Sequence, residues 1–201
     1  MVIFRYCGLL LCLGSLFGCS LSVGFFAPVQ QPEALQVTDL QGSPINMEEL
    51  FSRHDATVLI WWATGCPCVK RYQTRMEELA SRKFAQGKAV AVLAVSSNAD
   101  ENCEQVAQEA NNRNFKVPII RDHNGALAHF AGASTTPTAV IVGKDGKIKF
   151  VGWIDNERFP DEADREAYLD NALSELLSGK EVVMARAPTW GCMITKKFSM
   201  S

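Results

Sequence analysis

No stretch of this sequence is strongly basic, and its charges nearly cancel: 20 Lys+Arg stand against 22 Asp+Glu, a net of −2. Without a basic block, the phosphate contacts that drive nucleic-acid binding have no source, so no nucleic-acid partner is expected. Histidine is scarce. His54, His123 and His129 are the three in the chain, and their scatter reads as surface or hydrogen-bonded residues rather than ligands. No segment repeats with a period of about 20–50 residues, which excludes a solenoid, and no low-complexity tract interrupts the chain. What is there is an ordinary globular mixture, 47% hydrophobic and 21% charged, enough apolar material for one core.

The N-terminus reads as a targeting segment. Arg5 precedes an apolar run from Cys7 to Gly18, the layout of a signal peptide. The run ends Leu16-Phe17-Gly18-Cys19, which resembles a bacterial lipoprotein box in which Cys19 is lipidated and becomes the first mature residue. An uncleaved membrane anchor and ordinary cleavage are the alternatives, since apolar character continues to Pro28. All three predict a bacterial extracytoplasmic protein, membrane-anchored in the first two. Residues 1–19 are thus expected to be leader and 20–34 a tether, with Pro28 and Pro32 opposing regular structure. A domain over 35–180 and a flexible tail over 181–201 follow.

In the body, hydrophobic periodicity predicts alternating strands and helices. Residues around Asp39-Leu40-Gln41-Gly42-Ser43 suggest a hairpin-like turn. Thr57 to Ala63 is a short β-rich run, followed by Val69, Tyr72, Met76, Leu79 and Phe84 on one helical face, closed by Gly87. A strand over 89–95, a helix opening at Asn98, a strand over 117–120 and a short helix over 127–130 come next. A hairpin turns at Lys144-Asp145-Gly146, and a helix around Leu169–Leu177 stops at Gly179. This order predicts an α/β fold: a central mixed β-sheet with helices on both faces and an N-terminal hairpin extension.

The chemistry lies in the cysteines. Cys7, Cys12 and Cys19 belong to the leader; Cys66, Cys68, Cys103 and Cys192 belong to the body. A domain of roughly 165 residues holds its core without disulfide staples, so the body cysteines read as reactive rather than structural. Trp62-Ala63-Thr64-Gly65-Cys66-Pro67-Cys68 sits where a strand gives way to a helix. Unpaired N–H groups and the helix dipole there stabilise a thiolate, and Pro67 suits the first helical position. Lys70 and Arg71 add positive charge one turn on. Cys66 is therefore the expected nucleophile. Cys103, beside Asp100, Glu101 and Glu104, reads as a bystander.

Trp-Ala-Thr-x-Cys-Pro at residues 62–67 resembles the active-site segment of the thioredoxin-like superfamily. Thr135-Thr136-Pro137-Thr138 resembles its cis-proline loop, the two lying in the expected order over a resemblance from about residue 35 to 177. The redoxin branch of exported and lipoprotein oxidoreductases is the most similar, and Gly191-Cys192 looks like the end of a bacterial subgroup. The resemblance implies a thioredoxin-like fold and thiol–disulfide exchange. The expected partners are extracytoplasmic protein or small-molecule thiols and an electron donor, with no cofactor and no metal. Catalysis would fall to Cys66, Cys68 and Pro137, supported by Trp62, Thr64, Pro67 and Thr136.

The family motif is Cys-x-x-Cys, whereas this chain has Cys-x-Cys, with Val69 at the usual second position. Residues two apart on a helix face apart, so a Cys66–Cys68 bond needs an unwound first turn. Proximity along the chain favours Cys68 as the resolving thiol, with Cys192 its main rival. Two other activities share the fold. A peroxiredoxin-like peroxidase wants Thr three residues before the reactive cysteine; Thr64 is two before Cys66. A Cu(I) metallochaperone of this fold uses Cys-x-x-x-Cys with a placed histidine, which Cys-x-Cys and His129 match poorly.

Overall fold

The computed structural model describes residues 35–85, 87–156 and 165–196. The chain divides into two units, Met1–Gln31 and Pro32–Ser201. The first lies wholly outside the described residues, and so do the expected leader, Cys19 and the 20–34 tether. Among the described residues no helix is long and apolar enough to cross a membrane.

The described elements run β1 (Val37–Asp39), α1 (Met47–Arg53), β2 (Ala56–Trp61), α2 (Pro67–Ser81), β3 (Val90–Ser96), α3 (Cys103–Asn112) and β4 (Ile119–Asp122). They continue with α4 (Ala126–Ala131), β5 (Thr135–Thr136), β6 (Ala139–Gly143), β7 (Ile148–Gly152), α5 (Tyr168–Leu177) and β8 (Cys192–Met193). Six strands form one mixed sheet in the order β1-β4-β3-β2-β6-β7. β2 pairs parallel with β3 and antiparallel with β6. It is buried along its whole length, as a central strand covered on both faces must be.

Alternation along β2 divides the core. Val58 and Ile60 pack with Tyr72, Met76, Val106, Leu169 and Leu173, which brings α2, α3 and α5 to one face. Leu59 and Trp61 pack with Met47, Phe51, Leu127 and Ala131, which brings α1 and α4 to the other. The sheet is thus sandwiched, as the alternation of strands and helices predicts.

Several local expectations are corrected. The turn at 39–43 forms, with the Asp39 carboxylate accepting from the N–H groups of Gln41 and Ser43. Its return arm bonds back to β1, with Ile45 N–H donating to Val37 and Asp39 N–H to Ser43 around the short Thr38–Pro44 bridge, and β1 also pairs with β4. Helix α1 was not anticipated. Helix α2 ends at Ser81 rather than at Gly87. Helix α3 opens at Cys103 rather than near Asn98, because Asn102 and Gln105 form a reciprocal capping box there. The segment expected to be a flexible tail is docked through residue 196. Arg186 bridges to Val151, Trp153 N–H donates to Pro188, and Ile194 N–H donates to Ser134.

Candidate active site

The site is built where β2 delivers the chain to α2. Cys66 is the N-cap of α2, extended at φ −84° and ψ 113°, and Pro67 opens the helix. Because Cys66 is not yet helical, the rule that separates side chains two residues apart does not govern it. The sulfurs of Cys66, Cys68 and Cys192 all lie within 4.8 Å of one another. This corrects the expectation that helix geometry turns Cys68 away. All three are free thiols, as is Cys103, which stands at the first position of α3 and outside this cluster.

Cys192 arrives from the opposite direction. β8 pairs antiparallel with β5 in a two-stranded sheet, with Thr136 opposite Cys192 and Thr135 opposite Met193. The Thr136–Pro137 bond is cis, and the Cys66 thiol donates to the Thr136 carbonyl at 3.2 Å. Trp190 anchors the approach: its carbonyl accepts from Trp153 Nε1 at 2.6 Å, and the two rings meet at an interplanar angle of 40°. The tail therefore lies over Cys66, which is 2% exposed.

Electrostatics separate the three thiols. Burial pushes the Cys66 thiol up. Hydrogen bonds from the Cys192 and Thr136 side chains and from the N–H groups of Val69 and Cys192 outweigh it, leaving Cys66 below the ordinary thiol value. Cys68 is raised, by burial first and then by the neighbouring Cys66 charge. Cys192 is pushed up to about 12, again by burial and then by its bond to Cys66. Of the three thiols, Cys66 gives up its proton most readily, and the other two hold theirs more tightly close by.

The residues around the thiols are fixed by contacts of their own. Trp62 is buried in the core and stacks on Phe115. Thr64 is held by Glu101, its N–H and hydroxyl both donating to that carboxylate at 2.9 Å. Glu101 also accepts from Ser96 and Asn98. Buried Arg121 fixes that loop by donating to the carbonyls of Ser96, Asn98 and Glu101. Asp155, fully buried, accepts from Tyr72, Arg75 and Arg165 and ties α2 to the segment after β7. Nothing in the periodicity marks Glu101, Arg121 or Asp155. A cleft of about 610 Å³ opens beside Cys66, with Thr64, Glu101, Gln105 and Cys192 in its wall.

A strand–helix junction carrying a lowered thiol, facing a cis-proline loop under a mixed sheet, defines a thioredoxin-like disulfide oxidoreductase. The AhpC/TSA family model matches residues 29–151, and the chain belongs to that family. It is 28% identical over 146 residues to the thiol-disulfide oxidoreductase ResA of Bacillus thuringiensis (strain Al Hakam), covering 70% of this chain and 81% of that protein. A conserved protein of Geobacillus kaustophilus superposes with a TM-score of 0.69 at 26% identity, over 85% of this chain and 92% of its own. A hypothetical protein of Sinorhizobium meliloti 1021 also gives 0.69, at 25% identity over 83% and 93%. At 18% identity and a TM-score of 0.52, the exposed lipoprotein thioredoxin of Streptococcus pneumoniae shares the fold, over 69% and 96% of the two chains.

Proposed function

We propose that the protein exchanges disulfides with extracytoplasmic thiol partners through Cys66, with Cys192 as the thiol that resolves the mixed disulfide. The convergence of three sulfurs within 4.8 Å around the lowered thiol supports this reading. The Cys66 thiolate attacks one sulfur of a partner disulfide; that S–S bond breaks, and the released partner thiolate takes a proton. Cys192, deprotonated, then attacks Cys66 in the mixed disulfide and releases the second partner thiol. The products are a reduced partner and a Cys66–Cys192 disulfide, and the reverse sequence oxidises the partner. Cys66 is hydrogen-bonded to both Cys192 and Cys68, so the preference for Cys192 rests on the small ring that a Cys66–Cys68 bond would close across Pro67.

A peroxidase reading is less well supported, because the Thr64 hydroxyl is engaged by Glu101 rather than turned to Cys66. Cys19 as a lipid attachment site and an extracytoplasmic location complete the proposal, resting on the leader sequence. Turnover of a model protein disulfide by the reduced protein tests it. Exchange that Cys66→Ser abolishes supports the reading; peroxide consumption without disulfide exchange overturns it.

A further inference from the structure

We propose that the reduced cluster of Cys66, Cys68 and Cys192 is a Cu(I) site. The inference does not rest on the exchange reading, since it needs only the reduced sulfurs and no redox step. Three thiols reach one point from three stretches of chain: the cap of α2, its first turn, and β8. A flat triangle of metal–sulfur bonds of about 2.3 Å sets sulfurs about 4 Å apart. Separations that nowhere exceed 4.8 Å lie within about 1 Å of that triangle.

The donor set selects the ion. Among the described residues no histidine or carboxylate joins the cluster. Structural Zn(II) wants four ligands in a tetrahedron, and the hard cations want oxygen. Soft sulfur donors without a fourth partner suit monovalent copper. Cys66 is buried and the other two are half-buried, and the cleft that Cys66 and Cys192 line gives an ion its way in. Binding exchanges the three thiol protons for one Cu⁺ and leaves two net negative charges. The Val69 N–H, in the first turn of the fifteen-residue α2, already donates to the Cys66 sulfur, and the positive end of the helix favours the remaining charge.

The test uses the full chain with Cys7, Cys12 and Cys19 replaced by Ser, reduced and kept anaerobic in detergent. Cu(I) is supplied as its bathocuproine disulfonate complex, whose colour reports withdrawal of the ion. One Cu(I) per chain is expected, with three sulfurs in the copper-edge absorption spectrum. Cys66→Ser, Cys68→Ser and Cys192→Ser should each weaken competition by more than the about 10- to 100-fold that loss of an outer-shell partner brings. Cys103→Ser should leave it unchanged. Circular dichroism melting confirms that each variant is folded. No withdrawal of copper, a two-sulfur shell, or full affinity in folded Cys192→Ser overturns the site. Disulfide exchange is read separately, on metal-free protein, so either activity can fail alone.

Discussion

Gly191 crosses Thr136 so closely that a Cβ at residue 191 would lie 2.2 Å from the Thr136 carbonyl oxygen. Its φ of +143° is one that side-chain-bearing residues rarely adopt. Only glycine lets β8 settle on β5 and hold Cys192 over Cys66. Gly191→Ala should therefore lift the tail and leave the main sheet intact. Alkylation of Cys66 should speed up several-fold while the melting transition stays cooperative. An unchanged alkylation rate would mean that the tail is not what shields Cys66.

The three thiols should titrate in a fixed order. Cys66 lies below an ordinary thiol and Cys192 is pushed up to about 12. A lowered value means that the thiolate is already populated at a pH where free cysteine is still protonated. Alkylation of Cys66, followed peptide by peptide in the reduced protein, should level off below the free-cysteine value of about 8.5. Cys68 and Cys192 should still be accelerating there. If Cys68 reacts at lower pH than Cys66, the assignment of the nucleophile is wrong.

The parts of this molecule that follow from local pattern could be read from the sequence. A β-rich run ending at a cysteine, with Pro67 at the helix start, locates the junction, and Thr136-Pro137 locates the loop facing it. Helix α1 was missed although Asn46 accepts from the Glu49 N–H, because its apolar stripe amounts to two buried residues, Met47 and Phe51. The docking of β8 was not legible: a two-residue pairing across 56 positions between Thr136 and Cys192 has no periodicity. The same holds for Asp155, whose partners lie 83, 80 and 10 residues away. The direction of the Cys68 sulfur depended on Cys66 being a cap rather than a helical residue, a difference of one position at a boundary.

Asp155 carries a second consequence. Its carboxylate is fully buried and accepts from Tyr72, Arg75 and Arg165. Asp155→Ala leaves the buried Tyr72 hydroxyl and the Arg75 guanidinium without that acceptor. Breaking such a group is expected to destabilise the fold by about 3 kcal/mol, measured by urea unfolding of the reduced protein. A change within experimental error would show that water replaces the carboxylate.

If Cys19 is the lipid attachment site, Cys19→Ser should abolish incorporation of labelled fatty acid in a bacterial host. The body should then leave the membrane fraction wherever another peptidase cleaves the leader. Mass spectrometry finding an unmodified N-terminus elsewhere, with the protein free in solution, would remove lipidation from the reading.

The resolving thiol gives the sharpest division between sequence and geometry. Nearness along the chain favours Cys68, and its sulfur is within reach of Cys66. Yet Pro67 is the first residue of α2, and a bond across it closes a small ring at the opening turn of a helix that Asp155 also anchors from Tyr72. Cys192 closes no such small ring, and β8 already holds it opposite Thr136, whose carbonyl accepts from Cys66. The long loop that this bond closes is no obstacle, since closure entropy grows only slowly with length. Oxidation of the reduced protein should give a Cys66–Cys192 bond at full yield in Cys68→Ser. In Cys192→Ser the intramolecular bond should form slowly, and Cys66 should accumulate as a mixed disulfide with the oxidant. Peptide mapping under acid quench reads both. A full-yield Cys66–Cys68 bond in Cys192→Ser, with none in Cys68→Ser, would hand the resolving role to Cys68 and leave β8 as a cover over the nucleophile.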